Sequence, residues 1–223
     1  MHIEPGVVSG AKIILSYGTA LGAAGYMVKH ISDTVKQSGS AAFALRSLLA
    51  TILVFCFFEV LPHFPVGVSE VHLILGTTLL LILGTGPAAV GLMGGLLIQG
   101  LFFAPFDLPQ YGMNVTTLLV PLFATAVLAR RVIAHNTAYV DISYSQALKL
   151  SFAYQGGIVS WVAFWAFYGH GFSTDNLASV FSFGVSYMSV IIAEPLIDLG
   201  VLAIAKRIHG LRNSRWVEQR LYH

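Results

Sequence analysis

Charged residues are scarce in this chain: lysine, arginine, aspartate and glutamate make up 10% of its 223 positions. A soluble domain carries about 25% of them, so the composition excludes an ordinary soluble domain. The mean hydropathy is +0.77, and several apolar runs are long enough to cross roughly 30 Å of hydrocarbon as helices. The sequence therefore predicts an integral membrane protein.

Other missing features narrow the function. A single cysteine, Cys56, excludes an internal disulfide and a cysteine-based zinc site. The alternating segments of a transmembrane barrel are absent, which favours a helical bundle. The chain has no Gly-x-x-x-x-Gly-Lys-Ser/Thr phosphate loop, so we expect any ATP hydrolysis to come from separate proteins.

Two enzyme motifs are also missing, namely the His-Glu-x-x-His of metalloproteases and the Gly-x-Ser-x-Gly of serine hydrolases. All eight histidines fall at predicted helix ends, in loops or at termini, which argues against a haem-bearing electron carrier. An intramembrane metal-dependent enzyme such as a protease is kept as the alternative function.

The apolar stretches predict an all-α membrane protein, a bundle of about seven transmembrane helices in one domain over residues 1–223. The predicted spans cover about 7–28, 41–61, 73–83, 88–104, 115–128, 148–168 and 177–205. Residues 62–72 contain two prolines and are predicted to form a loop. Residues 206–223 form a basic tail.

The basic residues decide the predicted orientation. With the amino terminus outside, only Lys12 of the twelve lysines and arginines falls toward the outer side. The positive-inside rule therefore predicts an outer amino terminus and a cytoplasmic carboxy terminus. Because these residues lie in the inner loops and the tail, they inform topology and indicate no nucleic-acid partner. The histidines at positions 2, 63 and 72 all fall on the outer face.

Met1 and His2 form a candidate metal chelator within residues 1–6. The Met1 amine, the His2 amide and the His2 ring offer three nitrogens that close two fused chelate rings. The amide must lose its proton, which Ni(II), Cu(II) and, less readily, Co(II) can promote. A planar nitrogen set favours Ni(II) or Cu(II) over zinc or magnesium. His63 or His72, both in the following outer loop, could supply a fourth nitrogen. The alternative is a chance histidine after a start methionine, together with two solvated loop histidines.

Several polar residues lie within or beside the predicted spans. Gln99, Asn114 and Glu59 could hydrogen-bond metal ligands or could pack between helices. Glu194 and Asp198, four positions apart on the seventh span, fit a structural or partner-contact role better than metal binding.

Several motifs occur together at matching spacing: Met1-His2-Ile3 with Gly6, Ser69-Glu70-Val71-His72 ahead of Gly86-Pro87, Gln99 with Ala104, Gly112-Met113-Asn114, and Pro121. In these motifs the chain resembles the cobalt/nickel substrate-binding membrane components of energy-coupling factor ABC transporters, the CbiM/NikM family. The match runs over about residues 1–124. The chain departs from the family in having Pro105-Phe106-Asp107 where a His-Gly-Gly stretch is common. It also has Pro5 where an acidic residue commonly stands, and two residues inserted before Gly86.

The resemblance implies a substrate-capture component, not an enzyme, in the bacterial cytoplasmic (inner) membrane. Its transported substrate would be Co²⁺ or Ni²⁺, held by Met1, His2 and His72, with no organic cofactor. The implied partners are a transmembrane coupling subunit and ATPase subunits, and the need for a small accessory membrane subunit is left open.

Small residues on the first span have two interpretations. They are Gly18, Ala20, Gly22 and Ala24. They could pack tightly inside the bundle, or, as the resemblance implies, they could form the face that docks against the coupling subunit.

Overall fold

The computed structural model describes residues 3–212 and 214–222. This described chain folds into eight α-helices, several short 3-10 turns and one two-stranded hairpin. The elements are α1 (Ile13–Ser38), α2 (Ser40–Glu59), β1 (Phe64–Val66), β2 (Ser69–Val71), α3 (Gly76–Leu83), α4 (Thr85–Phe102), α5 (Tyr111–Val132), α6 (Tyr144–His170), α7 (Thr174–Met188) and α8 (Glu194–Arg207).

Four segments of the described chain are long and apolar enough to cross a membrane: Ser40–Glu59, Thr85–Phe102, Pro105–Val132 and Thr174–Arg207. The last of these is the predicted seventh span, and it is two helices, α7 and α8, joined by a 3-10 turn at Ser189–Ile192. Pro195 lies in the first turn of α8, where its missing N–H costs no helical hydrogen bond. With α7 and α8 counted as one span, the prediction of about seven helices is confirmed.

The glycines of α4 allow it to pack closely against α2. Gly91 faces Ala50, and a Cβ atom placed on Gly95 would lie 2.6 Å from Cγ1 of Val54. Small residues at such contacts let helix backbones approach, which supplies packing energy where the hydrophobic effect is weak.

The third predicted span begins later as a helix than expected. Residues 72–75 are not helical and are largely buried, and α3 begins only at Gly76. Leu75 adopts a left-handed conformation with φ of 54°, which costs a non-glycine residue about 1–3 kcal/mol. His72 therefore lies ahead of α3 and not at the start of the helix.

The carboxy-terminal segment packs against the end of the bundle opposite the hairpin. The backbone N–H of Glu218 donates to the carbonyl of Ile82 at 2.8 Å, and Leu221 is fully buried. The buried Arg46 donates to the carbonyl of Arg215 at 2.8 Å. A cavity of about 1110 Å³ remains between this segment and the ends of α1 and α5.

Candidate metal site

Ile3, the first described residue, is anchored in the protein interior. It is fully buried and forms an antiparallel bridge with Ser69 of β2. Its N–H donates to Oδ1 of Asn114 on α5 at 2.9 Å, and the N–H of Glu4 donates to the carbonyl of Val68 at 3.2 Å. The amino-terminal segment is therefore held between the hairpin and α5.

The hairpin occupies the segment that the sequence predicted to be an irregular loop. β1 and β2 pair antiparallel, with Val66 opposite Ser69. Gly67 makes the turn with φ of 62°, and a Cβ atom there would collide with the backbone of Ser179 on α7. Only glycine meets both requirements at low cost, so the turn fixes β2 against the bundle.

The two candidate histidines have different surroundings. His72 directly follows β2, is 3% exposed, and meets the ring of Phe58 edge-on with centroids 4.9 Å apart. His63 is exposed, and its Nδ1 lies 3.3 Å from the carbonyl oxygen of Leu61. Of the two, only His72 is held inside the protein.

Two of the predicted ligands, Met1 and His2, lie outside the described residues. Within the described ranges, no group of three or more histidine, cysteine, aspartate or glutamate side chains is arranged to hold a metal. A metal site that uses His72 as its one imidazole from the described residues therefore needs ligands from elsewhere in the chain.

The two predicted amides have separate roles. Asn114, 1% exposed, accepts the N–H of Ile3. Gln99 is also buried, and its Nε2 donates to Oε2 of Glu59 at 3.1 Å. Asn114 thus contacts the amino-terminal segment directly, whereas Gln99 links α4 to α2.

Three carboxylates near the hairpin were not predicted as site residues: Glu4, Glu70 and Asp107. Burial and the nearby charge of Glu70 raise the pKa of Glu4 above its usual value, and Asp107 lies within electrostatic range of both glutamates. Neighbouring carboxylates form a region of negative potential, which attracts cations. Glu4 lies two positions after His2, and Glu70 lies two positions before His72. These short spacings could have indicated both glutamates from the sequence.

The small residues of α1 divide into two pairs. Gly18 and Gly22 are exposed, with open space where a Cβ atom would be. Ala20 and Ala24 are half-buried, and Ala20 packs against the hydrophobic core.

A bundle that contains helices long and apolar enough to span a membrane, with a buried histidine and an anchored amino-terminal segment at one end, is typical of a membrane-embedded binding protein. The family profile of CbiM, the cobalt uptake substrate-specific transmembrane region, matches residues 2–210, and the chain belongs to this family. No curated protein and no solved structure matches it.

Family membership confirms the resemblance found in the sequence. The protein is a multi-pass membrane component that gives a cobalt uptake system its substrate specificity, and it works with other transporter components. The protein is a non-catalytic transport subunit. The alternative function, an intramembrane protease, is therefore set aside.

Proposed function

We propose that this protein captures Co²⁺ or Ni²⁺ outside the cytoplasmic membrane through four nitrogens. These are the Met1 amine, the His2 amide, the His2 ring and the ring of His72. The observation that carries the proposal is the antiparallel bridge between Ile3 and Ser69. Antiparallel chains run in opposite directions. The chain that precedes Ile3 is therefore expected to run from the bridge in the same direction as the chain from Ser69 to His72.

The chemistry of the donors supports a transition metal. Four nitrogens around a plane suit Ni(II) and are accessible to Co(II) once the amide has lost its proton. Metal binding requires deprotonated amine, amide and imidazole groups, so metal occupancy falls as the pH is lowered. Glu4, Glu70 and Asp107 add a negative potential that concentrates divalent cations near this end of the protein.

The environment of His72 supports its role as the fourth ligand over that of His63. The ring of His72 is confined by Phe58, so little rotational freedom is left to lose when a metal binds. Asn114 accepts the N–H of Ile3, which orients the amino-terminal segment in the way that outer hydrogen bonds orient metal ligands.

The remaining parts of the proposal concern orientation and partners. The amino terminus lies outside and the carboxy terminus inside, as the distribution of lysine and arginine predicts. The protein delivers metal to an energy-coupling factor transporter, in which separate ATPase subunits hydrolyse ATP. The exposed Gly18 and Gly22 of α1 let the transmembrane coupling subunit approach closely.

Calorimetry on the purified protein tests the metal site. One residue added ahead of Met1, or acetylation of its amine, is expected to abolish high-affinity binding of Co²⁺ and Ni²⁺. His72→Ala is expected to do the same, and His63→Ala, at an exposed histidine of the same loop, is the matched control. Retained affinity in the extended or acetylated protein would exclude the amine from the site, and equal losses for the two alanine variants would exclude the special role of His72.

A further inference from the structure

A polar cluster lies in the interior of the bundle, where α3, α6 and α8 pack together. Its two carboxylates, Glu194 and Asp198, are 0% and 1% exposed and lie one turn apart on α8. Within residues 3–212 and 214–222, no lysine or arginine forms an ion pair with either of them. The cluster therefore carries buried negative charge without a basic side chain opposite it.

The two carboxylates are bonded to different degrees. Both oxygens of Asp198 accept hydroxyl groups of α3, from Thr77 at 2.7 Å and from Thr78. Oε1 of Glu194 accepts the N–H of Leu75 at 3.1 Å. Oε2 of Glu194 is buried and has no hydrogen-bond partner.

Three further side chains bring buried polar atoms to Glu194. Tyr154 of α6 and Tyr187 of α7 are fully buried, and their hydroxyl groups make no hydrogen bond. Gln155 of α6 is also fully buried, and its amide lies within reach of the Glu194 carboxylate. Gln155 lies beside Glu194, and both tyrosine hydroxyls are close enough to feel its charge. The Tyr154 hydroxyl is also pressed against α3, because a Cβ atom on Gly76 would lie 2.6 Å from it.

The negative charge of the two buried carboxylates is only partly balanced by nearby groups. Burying an uncompensated ion costs several kcal/mol. Glu194 lies in the first turn of α8 and accepts the N–H of Leu75 at the start of α3, and each helix amino terminus contributes about half a positive charge. The threonine hydroxyls stabilise Asp198 further. These contributions offset about one of the two negative charges, so roughly one positive charge is still needed near Oε2 of Glu194.

The donor atoms indicate which cation fits. The free atoms around Glu194 include carboxylate, amide and phenolic oxygens, with no imidazole and no thiolate of the described residues among them. Oxygen ligands suit hard cations, whereas the proposed nitrogen site suits transition metals. The cluster is therefore distinct in chemistry from the site of the transported metal.

We propose that Glu194, together with Gln155, Tyr154 and Tyr187, forms a second binding site that holds one monovalent cation, a proton or Na⁺, in the core of the bundle. Discontinuous helices beside buried carboxylates are typical of ion sites in transporters. The non-helical segment 72–75 and the short α3 form such a discontinuity. This inference does not depend on the ligands proposed for the transported metal.

The test uses the purified protein without transition metal, in Na⁺ or in N-methylglucamine at equal ionic strength. If Na⁺ is the occupant, the Tm rises with Na⁺ concentration, and Glu194→Gln abolishes the rise. If a proton is the occupant, the Tm is independent of Na⁺. The infrared spectrum then contains the carbonyl band of a protonated carboxyl group, and this band is lost in Glu194→Gln.

Asp175→Asn, at an exposed carboxylate in the first turn of α7, is the control and is expected to leave both signals unchanged. Tyr187→Phe removes one oxygen and keeps the carboxylate, so it provides a second variant if Glu194→Gln does not fold. It is expected to raise the Na⁺ concentration needed for half of the Tm rise, or to shift the carbonyl band. The proposal is overturned if the wild-type protein shows neither signal. It is also overturned if the signal persists unchanged in both Glu194→Gln and Tyr187→Phe. If only Tyr187→Phe folds, an unchanged signal in that variant is enough to overturn it.

Discussion

Asn114 is the residue through which α5 acts on the amino-terminal segment. Its Oδ1 accepts the N–H of Ile3, and both residues are buried. Asn114→Leu leaves that N–H without a partner, so we expect Co²⁺ affinity to fall about 10–100-fold, the usual effect of losing an outer hydrogen bond to a metal site. Calorimetric titration with Co²⁺ measures the change.

Asn114→Asp is the matched variant, because a carboxylate keeps the acceptor atom. We expect it to retain most of the affinity that Asn114→Leu loses. Equal affinity in the leucine variant and the wild type would show that the bond to Ile3 has no bearing on metal binding.

We expect the carboxylates Glu4, Glu70 and Asp107 to raise the rate at which cations reach the proposed site. Replacing all three with glutamine or asparagine removes a negative potential, so we expect the association rate of Co²⁺ to fall by about tenfold or more at low salt. Stopped-flow measurements at two ionic strengths check this. The wild-type rate should fall with added salt more steeply than the rate of the variant, whereas parallel salt dependences would contradict the role.

The sequence predicted some features of these residues and not others. Asn114 could be predicted as a polar neighbour of the site, but its bond to Ile3 joins positions 111 residues apart and depends on the fold. His72 could be identified as a candidate ligand, but its burial could not be predicted. That burial follows from the hairpin and from the left-handed Leu75, whose N–H is held by Glu194.

At the level of elements, the contact between α2 and α4 depends on glycine. Gly95→Ala places a methyl group against Val54, so we expect it to destabilise the protein by about 1–3 kcal/mol, as overpacking does. Gly156→Ala on α6 is the matched control, because its added Cβ would meet no atom of another element within 4 Å. We expect Gly156→Ala to be neutral or stabilising by up to about 1 kcal/mol.

Unfolding of the two variants in detergent, followed by circular dichroism, separates these effects. Equal stabilities for Gly95→Ala and Gly156→Ala would mean that α2 and α4 separate without cost. The glycine spacing on α4 made this close contact predictable, whereas the break between α7 and α8 was not. Pro195 is compatible with both a helix start and a kink, and tertiary packing decides between them.

At the scale of the whole molecule, composition predicted the helical membrane bundle because a long apolar run has few alternatives in lipid. The carboxy-terminal segment was less predictable, since its basic residues dominate the sequence pattern. Its folding onto the bundle depends on a few positions among them, including the buried Val217 and Leu221 and the pair between Arg46 and Glu218. Charge density alone does not reveal such anchors.

Docking of the coupling subunit is tested best at Gly22. A large residue at Ala20 would disturb the core against which Ala20 packs, but Gly22 is exposed with open space around its Cα. Gly22→Trp is therefore expected to leave Co²⁺ binding intact and to impair ATP-driven uptake in the complete transporter, because the bulky ring keeps the partner helix at a distance.

Gly200→Trp on α8 is the matched control, since Gly200 is equally exposed and equally open. Uptake in proteoliposomes and calorimetric Co²⁺ binding are measured for both tryptophan variants. Equal uptake in the two variants would place the docking surface away from Gly22. Loss of Co²⁺ binding in Gly22→Trp alone would mean that this face of α1 supports the metal site from within the bundle and does not form the contact with the coupling subunit.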